Sequence, residues 1–319
     1  MADSDTLDLR LQSIRWEADG ILSMELVAPD NRVLPPWQVG AHVDLHLPNG
    51  IIRSYSLVNQ PSDNRRYLVA VALDRQSRGG SRFVHQNLRP GQMLKVGLPR
   101  NHFPLVEQGG EVVLIAGGIG VTPLYAMATA LELAGRPYRF VYATRSRAHA
   151  AFTDAIGGFG GKAAFHFDDE HGGQPLDIAR LVADAAPDAH FYCCGPAGML
   201  AAFEQATAGR SPDNVHIERF SAKPVDESAP ASGFKVILAR SGMELTVPPD
   251  KTILDVLIDN DVSVPYSCQD GICGSCETPV LAGQPDHRDS VLTAAEQAAS
   301  KTMMVCISRC KGDSLTLDL

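Results

Sequence analysis

The chain has 319 residues, of which 45% are hydrophobic, and its formal net charge is -9 at pH 7. This length predicts two or three domains with ample hydrophobic cores, so the composition excludes a disordered chain. The acidic balance argues against a general nucleic-acid binder, which normally presents a basic face.

The first ten residues are acidic and polar, with no basic flank leading into an apolar signal segment. Of the seven cysteines, four fall in one ligand pattern and the others are odd in number, which does not suit a disulfide framework. Both observations favour a reducing cytoplasm as the compartment.

Residues 6–105 are predicted to form mostly short strands, at 21–27, 43–47, 51–57 and 67–73. Asn49-Gly50, between two of these runs, is a strong hairpin signal. Several short antiparallel strands at this spacing predict a small barrel.

A phosphate-binding pattern lies within this barrel. The run Arg53-Ser54-Tyr55-Ser56-Leu57 is followed by Gly79-Gly80-Ser81 and then by a short helical stretch to Leu88. A glycine turn at a helix N-terminus offers backbone N–H groups to a phosphate, and a nearby arginine adds a charged fork. Taken alone, Arg53 and Tyr55 are ordinary strand residues.

Together these motifs resemble the flavin-binding barrel of the ferredoxin-NAD(P) reductase family. The resemblance implies that Arg53 binds the flavin phosphate and that Gly79, Gly80 and Ser81 close on it. It also implies that Tyr55 and Ser56 lie along the isoalloxazine ring.

The apolar window 112–135 could be mistaken for a membrane helix. Its first half contains three glycines and Pro123, which instead predict a buried strand at 112–116, a turn at 117–123 and a helix at 124–133. We therefore predict no membrane span.

From residue 111 onward strands alternate with helices, which predicts an α/β domain with a parallel sheet. Further strands are predicted at 139–144 and 191–194, and the second ends in Cys194-Gly195-Pro196. Ligands of open α/β sheets bind at the carboxyl ends of strands, where this turn and the glycine turn would lie. The glycine turn lacks the full G-x-G-x-x-G pattern because Pro123 stands at the last glycine position.

The two turns together resemble the pyridine-nucleotide domain of the same reductase family. The resemblance implies that Thr122 and Cys194 border the nicotinamide. It also implies a nucleotide site built from Gly118, Gly120, Thr122, Gly195 and Pro196. Taken alone, Cys194 is a small buried hydrophobe.

Two further features of this domain concern its ligands. Phe220 ends a short predicted strand at 216–220, and the family likeness implies that it shields the flavin, with a core or hinge position as the alternative. NADPH would need a basic residue near the adenine ribose, which Arg145 or Arg147 could supply. Asp168-Asp169-Glu170 adds opposing negative charge, so the sequence favours NADH.

Residues 221–233 are rich in Pro, Ser and Ala and lack apolar periodicity, which predicts a linker. Strands are predicted at 234–238 and 244–247, and a helix at 253–260. The cysteine pattern follows this helix.

Three cysteines have the spacing C-x4-C-x2-C, and a fourth follows 30 positions later; they are Cys268, Cys273, Cys276 and Cys306. This is the ligand spacing of a plant-type 2Fe-2S cluster. Such a loop must pass very close to the bridging sulfides, and Gly271 and Gly274 remove side chains that would obstruct it.

Cys310 competes with Cys306 for the fourth position. Cys306 is preferred because it ends the apolar run 303–305, a plausible strand, whereas Cys310 sits in a predicted polar turn. A zinc site is the main alternative to the cluster, but only Cys273 and Cys276 form the C-x2-C pair that structural zinc sites use.

The cysteine pattern resembles the plant-type ferredoxin module, over roughly residues 233–319. The order of modules resembles the phthalate dioxygenase reductase and vanillate O-demethylase reductase family across essentially the whole chain. That likeness implies an FMN-binding antiparallel β-barrel at 1–106 and an NAD-binding α/β domain at 107–222. A linker at 223–233 and a β-grasp 2Fe-2S ferredoxin domain at 234–319 would follow.

The same likeness implies a reductase that passes electrons from NADH through FMN and the 2Fe-2S cluster to a separate Rieske-type oxygenase acting on an aromatic acid. A nicotinamide delivers two electrons together and such a cluster accepts one, which explains a flavin between them. One alternative is a reductase for a cytochrome or a separate ferredoxin. The other is a zinc protein that binds nucleotide only as a regulatory ligand.

Overall fold

An antiparallel sheet of six strands forms the first part of the chain. The structure, a computed structural model, describes residues 6–74, 77–221 and 232–319. The strands are β1 (Thr6–Ala18), β2 (Ile21–Val27), β3 (His42–His46), β4 (Ile52–Ser56), β5 (Arg66–Ala72) and β6 (Met93–Gly97). Their order is β4-β3-β6-β1-β2-β5, and the helix α1 (Gly80–Asn87) contributes Val84 to the same hydrophobic core.

The four strands predicted in this region are confirmed, each within one residue at either end, whereas β1 and β6 were not predicted. The pairing of β1 with β2 shifts register between Leu11 and Ser13 and again between Trp16 and Ala18. Each shift breaks the alternation of inward and outward side chains. The alternation that identifies a strand is therefore lost within β1.

A second, parallel sheet follows, with helices on both faces. Its strands are β7 (Val112–Gly117), β8 (Tyr138–Thr144), β9 (Ala163–Phe167), β10 (His190–Cys194) and β11 (Val215–Glu218), in the order β11-β10-β7-β8-β9. The helices are α2 (Val121–Leu133), α3 (Thr153–Gly157), α4 (Ile178–Ala183) and α5 (Ala197–Thr207). β7 is buried along its whole length, as a central strand covered on both faces must be.

The predicted α/β pattern is confirmed, with one shift at the first turn. Only Gly118–Gly120 form the turn, so α2 begins at Val121 rather than at residue 124. Pro123 lies in the first turn of the helix, where its missing N–H costs no hydrogen bond. Among the described residues, no helix combines the length and apolar character needed to cross a membrane.

A third sheet lies beyond residue 232. Its strands are β12 (Phe234–Leu238), β13 (Glu244–Val247), β14 (Glu277–Ala282), β16 (Thr302–Met304) and β18 (Ser314–Leu317), in the order β13-β12-β18-β14-β16. Two short strands, β15 (Pro285–Asp286) and β17 (Arg309–Cys310), pair separately, and the helices are α6 (Ile253–Asp259) and α7 (Ala294–Ala299).

The strands predicted at 234–238 and 244–247 have the bounds that were expected. The prediction of a polar turn at Cys310 is wrong, because Cys310 pairs with Pro285 in the short β15–β17 ladder. The helix α6 is one residue shorter than predicted and begins after Thr252, whose side chain accepts from Asp255 N.

The chain separates into two units, residues 2–220 and residues 221–319. Residues 222–231 of the predicted linker lie outside the described residues. The finer division into a barrel ending at residue 106 and an α/β domain beginning at 107 stays a prediction.

Candidate functional site

Strand β4 brings Arg53 onto the first turn of α1. A Cβ atom on Gly80 would lie 2.9 Å from Arg53 Cγ and 3.1 Å from its Nε, so the arginine lies over a residue without a side chain. Gly79, at the N-terminus of the helix, has a φ of 100° and provides no side-chain cap. Ser77 Oγ accepts from the N–H groups of Gly79 and Arg82 at 3.2 and 3.4 Å. A guanidinium beside a helix N-terminus suits a phosphate group.

The other predicted flavin residues lie on both faces of β4 and in the first turn of α1. Tyr55 packs against the core of the first sheet, and burial raises its pKa to about 12. Ser56 has the opposite orientation, and its Oγ lies 3.5 Å from Glu218 Oε2. Ser81 Oγ accepts from Asp74 N at 3.1 Å, so this hydroxyl helps to fix the loop before α1.

The turns after β7 and β10 fit together through their backbones. A Cβ atom on Gly120 would lie 2.1 Å from Cys194 O and 2.4 Å from Cys194 C. A Cβ atom on Gly117 would lie 2.7 Å from Pro196 Cδ. The structure thus brings the predicted nucleotide residues together at one edge of the sheet; they are Gly118, Gly120, Thr122, Cys194, Gly195 and Pro196.

Thr122 and Cys194, predicted at the nicotinamide, are both buried. Thr122 donates its hydroxyl to Ile119 O at 3.0 Å, inside the turn. Burial raises the pKa of the Cys194 thiol well above its usual range, and the neighbouring Glu218 and Cys193 raise it further. Cys194 is therefore a neutral thiol at neutral pH rather than a thiolate.

Glu218 is a site residue that the sequence analysis missed. It lies opposite Cys194 in the parallel pairing of β10 with β11 and also faces Ser56. Burial raises the pKa of the Glu218 carboxyl to about 8. The available signal was an acidic residue in a short strand next to the nucleotide turn, two positions before Phe220.

Phe220 follows β11 and is 41% exposed. This exposure rules out a core position for its ring within the described residues. An exposed aromatic ring just beyond Glu218 fits the predicted flavin shield, which stays a prediction.

We expect Glu218 to make stability depend on pH. Its carboxyl has a folded pKa of about 8 against a usual value of 4.5, so its contribution is full below 4.5 and is lost as pH rises through about 8. The free energy of unfolding should fall by at most about 1.4 kcal/mol per pH unit in this window, and by less where water reaches the carboxyl.

The measurement is the unfolding midpoint of wild type and Glu218→Gln between pH 5 and pH 8. Glu218→Gln should flatten the slope, since a glutamine resembles the protonated carboxyl and cannot ionise. Glu107→Gln changes an exposed carboxyl and should keep the wild-type slope. Parallel curves for wild type and Glu218→Gln would contradict the assignment.

The four cysteines predicted as ligands are buried and form two sulfur pairs. Cys268 and Cys273 share a hydrogen bond, which raises the pKa of Cys268 and lowers that of Cys273. Cys276 and Cys306 form the second pair, and this contact raises the pKa of Cys306. Two pairs of sulfurs suit two iron atoms with two thiolates each.

Backbone N–H groups point at these sulfurs. The N–H of Asp270 donates to Cys268 Sγ at 3.3 Å, and the N–H of Gly271 donates to the Cys306 sulfur. Ser275 N donates to the Cys273 sulfur. Such donors stabilise negative charge on sulfur, as anionic thiolate ligands require.

These observations favour the cluster over zinc. Among residues 6–74, 77–221 and 232–319, no three His, Cys, Asp or Glu side chains converge on a point that could hold a single metal ion. Cys310 lies apart from the pairs and contacts Ser314 O and Gly312 N at 3.4 and 3.3 Å. The donor set therefore fits a 2Fe-2S cluster with Cys306 as the fourth ligand, and the assignment of these residues stays a prediction.

One of the two arginines considered for a 2'-phosphate, Arg147, already forms an ion pair. Arg147 donates from Nε and Nη2 to the two oxygens of Glu170 at 2.5 and 3.1 Å. Its guanidinium also lies over the Phe167 ring, 4.5 Å from the centroid. Glu170 thus neutralises one of the two arginines considered for a 2'-phosphate, which supports NADH.

Comparison with known proteins extends over the whole chain. Residues 236–311 match the family of 2Fe-2S iron-sulfur cluster binding domains. The chain is 49% identical to phenoxybenzoate dioxygenase subunit beta of Ectopseudomonas oleovorans, covering 98% of this chain and 97% of that one.

Solved structures give the same result. This chain is similar to the structure of phthalate dioxygenase reductase, with a TM-score of 0.74 and 37% identity over 98% of both chains. That protein is described as a modular structure for electron transfer from pyridine nucleotides to a 2Fe-2S cluster. An intact type IV self-sufficient cytochrome P450 monooxygenase is similar with a TM-score of 0.90 and 41% identity, over 98% of this chain and 41% of that longer one. These likenesses confirm the expected multidomain fold and the flavin, nicotinamide and iron–sulfur cofactors.

Proposed function

This chain belongs to the family of oxygenase reductases that includes phthalate dioxygenase reductase, and from that premise we propose that it supplies electrons from NADH to an oxygenase in aromatic compound catabolism. The protein is an oxidoreductase with an oxygenase as its partner. The finer proposal is that this oxygenase is of the Rieske type. Plant-type clusters lie near about -400 mV and Rieske centres at about -150 mV or above, so the transfer is downhill.

A flavin, when bound, supplies the exchange between two-electron and one-electron transfer. In our proposal Arg53 and the first turn of α1 bind its phosphate, and Tyr55 lines the ring. The backbone contact of Gly120 with Cys194 would fix the surface against which a nicotinamide binds. Glu218 holds a proton near neutral pH beside Ser56 and Cys194.

The cysteine pairs have a separate role in the second unit. Cys268 with Cys273, and Cys276 with Cys306, would hold the two irons, and the surrounding N–H donors would stabilise the negative charge. None of the seven cysteines, all of which lie in the described part of the chain, forms a disulfide, and a reducing cytoplasm is the compartment that we propose.

The two buried sulfur pairs are the observation that carries this proposal. The test is an anaerobic visible spectrum of the purified protein before and after NADH, with iron counted and released flavin identified. We expect about two irons and one FMN per chain, with flavin and cluster bands that bleach together. A protein purified without oxygen that shows no iron–sulfur absorbance would contradict the cluster assignment.

A haem protein is the second candidate for the electron acceptor. The similarity to a self-sufficient cytochrome P450 monooxygenase favours a haem protein as the alternative electron acceptor. Purified Rieske oxygenase and P450 haem domains, offered at equal concentration with NADH, separate the two proposals. Faster haem reduction would replace the Rieske proposal and leave the reductase assignment intact.

The Arg147–Glu170 pair gives a prediction about the nicotinamide nucleotide. Glu170→Gln should release Arg147 and improve kcat/KM for NADPH by roughly tenfold, since a guanidinium makes charge-assisted hydrogen bonds to a phosphate group. The rate with NADH should change little.

Steady-state rates with both nucleotides measure this effect. Glu132→Gln, which breaks the exposed ion pair with Lys162 elsewhere in the same unit, is the matched control. An unchanged NADPH to NADH ratio in Glu170→Gln would show that Arg147 does not face the ribose.

A further inference from the structure

A buried cluster of polar side chains, formed by His287, Asp289 and Ser290, lies next to the cysteine loop. The Asp289 side chain has no exposed area and that of His287 is 6% exposed. Asp289 Oδ2 accepts from the N–H groups of Val291 and Leu292 at 3.1 and 2.8 Å. Within the described part of the chain, Asp289 Oδ1, both ring nitrogens of His287 and the Ser290 hydroxyl have no hydrogen-bond partner.

Such groups are costly to bury. A buried polar atom without a partner destabilises the fold, and apolar residues of similar size would avoid this penalty. Asp289 Oδ1 and His287 Nδ1 are 3.7 Å apart, which is too long for a hydrogen bond but close enough for electrostatic attraction. The position of Asp289 and His287 relative to the cysteine loop indicates a function for these buried side chains.

Asp289 packs directly against Gly271 in the cysteine loop. A Cβ atom on Gly271 would lie 3.1 Å from Asp289 Cα and 3.3 Å from its Cβ. The next residue, Ser290, donates its N–H to Gly271 O at 2.9 Å. The N–H of Gly271 in turn donates to the sulfur of Cys306. The Asp289 segment therefore holds the peptide that contacts a predicted ligand.

The same segment is also tied to the chain that follows Cys306. Arg288 N donates to Ser308 Oγ at 3.3 Å, and Asp286 pairs with Arg309 in the β15–β17 ladder. The segment from 285 to 290 thus contacts both sequence regions that carry the predicted ligands. Asp289 is its buried acidic residue, whereas the Asp286 side chain is 31% exposed and bonded to Arg288 at 2.8 Å.

We propose that Asp289 is a positioning residue that lowers the reduction potential of the iron–sulfur centre, and that His287 partly offsets its charge. A buried carboxylate close to the cysteine loop opposes the arrival of an electron, because water does not screen it there. Net charge and hydrogen bonds to the sulfurs are among the factors that set such potentials. This inference rests on the proposed iron–sulfur function.

The test is a redox titration of the purified holoprotein, followed by visible and electron paramagnetic resonance spectra. Asp289→Asn keeps the shape and an oxygen for the Val291 and Leu292 N–H groups but removes the charge. We expect it to favour the reduced cluster at least tenfold, a shift of about 59 mV to more positive potential for one electron. His287→Leu should shift the potential in the opposite direction.

Asp286→Asn is the matched control, since it removes the same charge from the same segment at a more exposed position, and it should shift the potential much less. Equal shifts in Asp289→Asn and Asp286→Asn, or no shift in Asp289→Asn, would overturn the inference. If Asp289→Asn does not retain iron, the reduction potential of the His287→Leu protein becomes the test. A more negative potential supports the inference, and an unchanged potential overturns it. Wild-type protein without iron would instead refute the proposed function.

Discussion

Replacement of Cys273 with serine should leave NADH able to reduce the flavin but should stop electron delivery to the oxygenase. Cys273 forms one of the two buried sulfur pairs, and its partner Cys268 would lose a shared iron site. We expect delivery to fall at least ~100-fold, since loss of residues that merely support metal ligands already costs 10–100-fold. Stopped-flow bleaching of the flavin and oxygenase turnover measure the two steps separately.

Cys310→Ser is the control for this experiment. Cys310 lies only four positions after Cys306 but contacts the backbone of Gly312 and Ser314 instead of another cysteine sulfur. Its replacement should leave the iron content and the rate of delivery unchanged. If Cys273→Ser delivers electrons at the wild-type rate, the route through the second unit is wrong.

Gly120→Ala should have a comparable effect on the other half of the route. The new methyl carbon would start 2.1 Å from Cys194 O and 2.4 Å from Cys194 C, which are backbone atoms that cannot rotate away. The two nucleotide turns must separate by about 1 Å, and a misplacement of that size can cost ~100-fold in rate. Flavin reduction by NADH should therefore slow by about that factor, with the iron content unchanged.

A glycine in the helix that follows Cys194 provides the comparison. Gly198 lies in α5 with no atom within 4 Å of a Cβ position, so Gly198→Ala should keep the wild-type rate. It should also stabilise the helix by up to about 1 kcal/mol. If the Gly120→Ala protein reacts with NADH as fast as the Gly198→Ala protein, the turns after β7 and β10 do not form the surface against which the nicotinamide binds.

Elements with an unbroken local pattern could be predicted from the sequence. The apolar run of β7 and the short alternating strands β12 and β13 have nearly the bounds that were expected. β14 was not predicted because Pro279, a poor strand residue, lies within it. β1 was hidden by its two register shifts. β14 pairs with β16 and β18 and β1 pairs with β2 and β6, and this pairing overrides the local signal in both strands.

The site residues likewise divide into those with a local sequence pattern and those defined by tertiary contacts. The cysteines could be found because their spacing along one loop carries the signal. Glu218 could not, because its place beside Ser56 depends on a contact 162 positions apart in the chain. Asp289 was missed for a similar reason, since its contact with Gly271 arises only after the loop has folded. Residues defined by tertiary contacts carry only a weak local signal, such as the acidic residue in a short strand that marks Glu218.

The order of strands in the third sheet has a consequence for biosynthesis. β18 lies between β12 and β14, yet it is translated after all four predicted ligands. Cys306 precedes the first residue of β18 by eight positions, so the four cysteines are synthesised before the strand that completes their sheet, by about 0.4–1.6 s at about 5–20 residues per second. A nascent chain that stalls before residues 314–317 would carry these cysteines without the central strand of their sheet.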